Sequence, residues 1–127
     1  MSLFDRIKWL AIRRPNLKKI DSWAHWSAYV DSSTQLSVNH KFEKGVLIHD
    51  SVIGRHTYFA KSKVVRADIG AFTSIGPEAV IGGLGPHPTN FISTHPVFYS
   101  ARCQSGKTFA KENLIEEIAR VSIGNDV

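Results

Sequence analysis

Apolar residues recur at every sixth position through much of this chain, most plainly at Ile69, Ile75 and Ile81, each followed by glycine. The same pair stands at Ile53-Gly54 and Ile123-Gly124, so five of the nine glycines follow an isoleucine, where chance placement gives about one. A helix repeats its buried face every 3.6 residues and a half-buried strand every two, and neither produces this beat. A coil with three flat faces does, one hexapeptide to a face. Within each hexapeptide the first position is apolar and points inward, the second is small, and the fifth is small or apolar. Val30, Leu36 (His40 fifth) and Phe42 (Val46 fifth) open the series. After a one-residue slip Leu47 restarts it toward Ile53, Phe59 and Val65, and a second slip leads to Ile69. Glycine suits the second position because it lacks the Cβ that clashes when φ turns positive. The pattern predicts an all-β parallel solenoid over residues 30–127, with about three coils in 30–82.

Flanking and interrupting segments break the rhythm. Residues 2–14 read as a short helix capped by Ser2 with Asp5 three residues on, with Phe4, Ile7, Leu10 and Ala11 on one face and Pro15 as its stop. Residues 1–29 thus form a helix and a lead-in, in which Trp23, Trp26 and Tyr29 are expected to cover the open first rung. From 83 to 120 the hexapeptides stop, and they resume at Val121. A long excursion from a rigid scaffold tends to carry function. Ala110, Leu114 and Ile118, four apart, predict a short helix over 109–119. His87 and His95 each precede proline, which stiffens their backbone in an extended form.

The formal charge of +5 lies largely in Arg6, Lys8, Arg13, Arg14, Lys18 and Lys19, without the interleaved aromatics of a nucleic-acid platform. A solvated basic face and no nucleic-acid partner follow. The single Cys103 excludes an internal disulfide and is compatible with a reducing cytoplasm, and it has no motif in its favour as a nucleophile. The apolar run at residues 9–12 is too short for a membrane span or a signal h-region, so a soluble, cytoplasmic protein of one domain is expected.

Ile69–Gly82, Gly85-Pro86-His87, Ser93-Thr94-His95-Pro96 and Ile123-Gly124-Asn125-Asp126-Val127 resemble the hexapeptide-repeat acetyltransferases of the xenobiotic and chloramphenicol type, with their sugar and capsule O-acetyltransferase relatives. The resemblance covers roughly residues 30–127. It implies a left-handed parallel β-helix, a homotrimer, and acetyl-CoA as donor to a small hydroxylated acceptor. His87 takes the place of the catalytic histidine, a base whose ordinary pKa suits proton transfer near neutrality. Backbone N–H groups of Gly83 and Gly85 would hold the oxyanion, while His95, Phe91, Phe98 and Tyr99 would shape the acceptor site. His49 and His56 invite comparison with metal-dependent carbonic anhydrases of the same fold, but His87 and His95 have the wrong spacing to complete such a set, so no metal is expected. Family members usually continue for several coils beyond the point matching Val127 and build much of the acetyl-CoA cleft there. The chain is therefore expected to be C-terminally incomplete. The alternative is a non-catalytic or truncated β-helical remnant, or an assembly subunit that needs a partner chain, without a complete CoA site.

Overall fold

A computed structural model describes residues 2–127. Twelve short parallel strands stack into three four-stranded sheets, one for each face of a β-solenoid of four rungs. The first sheet holds β1 (Trp23–Ala24), β4 (Lys41–Phe42), β7 (Tyr58–Phe59) and β10 (Ser74–Ile75). The second holds β2 (Tyr29–Val30), β5 (Leu47–His49), β8 (Lys63–Val65) and β11 (Val80–Gly82). β3 (Gln35–Leu36), β6 (Val52–Ile53), β9 (Ala67–Ile69) and β12 (Val121–Ile123) make the third. This architecture fits a left-handed β-helix, although strand order and register alone do not carry the hand.

Register aligns the inward side chains in columns: Ala24, Phe42, Phe59 and Ile75 on one face, Val30, Ile48, Val64 and Ile81 on the next, Leu36, Ile53, Ile69 and Ile123 on the third. Phe42 and Phe59 stack with centroids 5.5 Å apart. The coil starts earlier than residue 30, since Ala24 already fills a core slot; alanine is too small to register as an apolar beat. Two inward positions also differ from the expected ones. Ile48 and Val64 are fully buried, while Leu47 and Val65 are only half-buried. Each sits in an apolar pair, and pairing Val30↔Ile48↔Val64 decides which member turns inward.

The glycines serve a different purpose from the one expected. Of those in the Ile-Gly pairs, only Gly82 has positive φ. A Cβ on Gly54 would lie 2.5 Å from the backbone nitrogen of Ala71 on the next rung, and one on Gly70 would meet the Gly124 carbonyl. Absence of a side chain thus permits close rung stacking there. The left-handed turn residues lie one or two positions later and include Asn39, His56, Phe72 and Glu78.

Small polar side chains line the corners. Thr57 and Thr73 are buried and donate their hydroxyls to the Gly54 and Gly70 carbonyls at 2.8 and 3.1 Å. His40 occupies one such corner and is 2% exposed; burial chiefly, with the charge of His56 adding to it, pushes its pKa down to about 4 despite its contact with the Thr57 backbone. The folded protein resists protonating His40 while the unfolded chain takes up a proton near pH 6.5. Stability is therefore complete above about pH 6.5 and falls as pH drops toward 4, by up to ~3 kcal/mol. Denaturant midpoints measured across this range are expected to decline in the wild type and to decline less in His40→Leu.

At the N-terminus, α1 (Leu3–Lys8) carries the expected capping box, with Ser2 Oγ accepting from the Asp5 N–H at 3.1 Å and the Asp5 carboxylate accepting from the Ser2 N–H at 3.0 Å. Pro15 does not stop the helix. A π-turn at Trp9–Arg13, in which the Arg14 N–H reaches the Trp9 carbonyl, carries the chain past it, and a 3₁₀ turn at Leu17–Ile20 completes the segment. This wider register accommodates a ring that clashes in a regular α-helix. The first rung is covered by Trp9 and Leu17, both buried, and not by Trp23 and Trp26, which are exposed. Trp9 meets Tyr29 edge to face at 6.0 Å. Arginines close the rung's open carbonyls: Arg6 donates to Ala28 O at 2.7 Å and Trp26 O at 2.6 Å, and Arg14 to Ala24 O at 2.9 Å.

After the excursion the chain re-enters the solenoid at Arg120, whose guanidinium grips the Asp68 carboxylate at 2.8 and 2.9 Å. Residues 83–119 form a second compact unit. Its expected helix over 109–119 does not form. The Leu114 N–H, which a helix would aim at Ala110, reaches across the loop to Tyr99 O at 2.9 Å instead, and Phe109 N–H reaches Val97 O at 2.8 Å. No helix among the described residues is long and apolar enough to cross a membrane.

Candidate active site

Within the second unit, the segment 83–87 and residues near 102 and 117 surround a cleft of about 540 Å³. Gly83 enters it with φ of +78°, a conformation that favours glycine. Gly85 is required for closeness, because a Cβ there would run into the Glu117 carbonyl. Pro86 and the buried Pro88 flank His87 and restrict its backbone. The imidazole is exposed at the cleft, and its Nδ1 lies 3.2 Å from the Tyr99 hydroxyl. Tyr99 itself is 3% exposed. Among the described residues the N–H groups of Gly83 and Gly85 form no hydrogen bond, which leaves two donors available on the segment that carries the histidine.

The cleft's other wall holds charge that no sequence motif signalled. Glu117 has a side chain 7% exposed, and its Oε1 lies 3.7 Å from Arg102 Nε, outside hydrogen-bond reach. Its other oxygen accepts from the Gln104 amide. The Ser100 hydroxyl first, then Gln104 and Arg102, hold the carboxyl below its ordinary pKa against the effect of burial. An ionised carboxylate therefore stands in the same cleft as the imidazole.

His87, Gly83, Gly85 and Tyr99 are brought together, with Tyr99 as the partner of His87 and not merely a wall. Phe91 touches Tyr99 edge to face at 6.4 Å, but with Phe98 it lines a separate apolar concavity beside Asn90, Ile92 and Ser93. His95 lines neither; its Nδ1 accepts from the Val97 N–H at 3.2 Å and caps the 3₁₀ turn Pro96–Phe98. Elsewhere, His49 Nδ1 lies 3.6 Å from an Asp31 oxygen, and His56 stacks on Phe72 at 5.1 Å. Cys103 is exposed. No group of three or more His, Cys, Asp or Glu side chains among the described residues is arranged to hold a metal ion.

An exposed imidazole held at one nitrogen, beside unpaired backbone donors, can take a proton from a hydroxyl and leave the donors to meet a developing oxyanion. No protein-family model, curated protein or solved structure matches the chain.

Proposed function

We propose that this chain is, or belongs to, an acetyl-CoA-dependent O-acetyltransferase acting on a sugar-like hydroxyl, with His87 as general base. The observation that carries the reading is the His87–Tyr99 pair set on the same segment as the unbonded N–H groups of Gly83 and Gly85. With Nδ1–H donating to the Tyr99 oxygen, Nε2 keeps its lone pair and faces the acceptor. The acceptor oxygen attacks the thioester carbonyl as Nε2 takes its proton. Gly83 and Gly85 stabilise the tetrahedral oxyanion until the carbon–sulfur bond breaks and the proton passes to the departing thiolate. A left-handed coil, a cytoplasmic trimer and a donor site between subunits belong to the same reading by resemblance.

Calorimetric titration of acetyl-CoA into the purified protein tests it first. Saturable binding at one site per chain is the expected result. A folded sample that binds no acetyl-CoA would favour the non-catalytic module.

Tyr99→Phe offers a finer check, since it removes the hydroxyl that fixes the imidazole while keeping the ring. Turnover is expected to fall about tenfold with the Michaelis constant little changed, because orientation is lost but the base remains. Full turnover by this variant would remove Tyr99 from the mechanism.

A further inference from the structure

The N-terminal helix is mounted with its polarity reversed. A surface helix ordinarily turns its apolar stripe to the protein and its cations to water. Here Arg6, Arg13 and Arg14 turn toward the first rung and donate to its carbonyls, whereas Leu3, Phe4, Ile7 and Leu10 face outward, Phe4 at 62% and Ile7 at 56% exposure. Leu3, Ile7 and Leu10 stand at i, i+4 and i+7, and Phe4 stands three before Ile7, spacings that set neighbouring side chains on one side of a helix. Ile12 and Ala11 are exposed beside them.

Charge gathers in the same N-terminal segment. Six of the sixteen lysines and arginines but one of the eleven acidic residues lie in residues 1–19, so this segment carries the entire formal excess of +5 and residues 20–127 sum to zero. Lys8, Lys18 and Lys19 are exposed and form no salt bridge among the described residues. The Lys8 ammonium lies 4.3 Å above the Phe4 ring, at the border of the apolar stripe.

We infer that this helix docks the protein on an anionic lipid bilayer, lying in the interface with Leu3, Phe4, Ile7 and Leu10 among the acyl chains and the lysines at the headgroups. The bilayer satisfies both halves of the surface: hydrocarbon for the stripe and negative charge for the cations. A second copy docked symmetrically on the same face would oppose two segments of like charge. Nucleic acid would meet the lysines but leave the apolar stripe in water. The inference is independent of the acyl chemistry.

Sedimentation of the whole protein with lipid vesicles tests it. Binding is expected to vesicles containing phosphatidylglycerol at low salt, to weaken at high salt, and to be slight for pure phosphatidylcholine. Phe4→Ser with Ile7→Ser should weaken binding at least about tenfold, since each side chain loses its burial in hydrocarbon. Lys18→Glu with Lys19→Glu should weaken it at low salt by more than about 25-fold, roughly fivefold or more for each cation. Both pairs are exposed, and unchanged thermal melting establishes that they fold. Four results would each overturn the inference. They are no binding to anionic vesicles, binding unaffected by the Phe4/Ile7 pair, displacement from vesicles by duplex DNA, or a changed oligomeric state of the Phe4/Ile7 variant without lipid. The last would assign the face to a second copy, and displacement by DNA would assign it to nucleic acid.

Discussion

His87→Ala is expected to lower acetyl transfer by roughly 10²–10⁴-fold while the solenoid stays intact. The magnitude follows from what the imidazole supplies: a hydroxyl near neutral pH is a poor nucleophile, and a positioned base removes its proton as the new bond forms. The fold should tolerate the change, because His87 is exposed and, among the described residues, its side chain hydrogen-bonds only to Tyr99, at 3.2 Å. Affinity for acetyl-CoA should stay within a few-fold of wild type, since the effect belongs to the transition state and not to donor binding. CoA release in the presence of a sugar acceptor is the measurement. Full turnover by the alanine variant would exclude His87 as the base, even if Gly83 and Gly85 still held the oxyanion.

Much of this scaffold can be read before any coordinates, because the sixfold beat maps directly onto inward positions wherever one apolar residue stands alone. Phe42, Ile69 and Ile75 are such positions, and all are buried. At Leu47 and Val65 the beat lies one residue off the core, because two apolar neighbours compete and inter-rung pairing chooses Ile48 and Val64. The first rung is not legible, because Ala24 fills a core slot without looking hydrophobic. Nor is the passage beyond Pro15, because a π-turn is a backbone register with no local signature. In the site, His87, Gly83 and Gly85 were legible from a short motif. Arg102 and Glu117 were not, since they reach the cleft through cross-loop bonds such as Ala101 N–H to Asn113 Oδ1 at 2.8 Å, which have no sequence period. The ring of Tyr99 is legible in the sequence, whereas the contact of its hydroxyl with His87 is not.

The same columns make Phe59→Ala the substitution with the largest expected effect on stability, a loss of ~3–5 kcal/mol. Phe59 has no exposed surface, lies between Phe42 and Ile75 in its column, and stacks on Phe42 at 5.5 Å. The solenoid core is narrow, and this face offers one inward side chain per rung, so neighbours cannot slide in to fill the void; closing it would require rungs to approach below strand spacing. Adjacent Tyr58 on the same strand, 48% exposed, provides the contrast, and Tyr58→Ala should cost no more than ~0.5–1 kcal/mol. Against a total stability of about 5–15 kcal/mol for an ordinary domain, the first loss is close to unfolding. Solenoid rungs are stabilised chiefly by nearest neighbours, so the damage should spread from the third rung outward. Urea unfolding measures the total loss, and amide exchange of Lys41–Phe42 and Ser74–Ile75 reports its reach. A loss below ~1 kcal/mol for Phe59→Ala would mean that this column does not hold the rungs together, and the register itself would have to be redrawn.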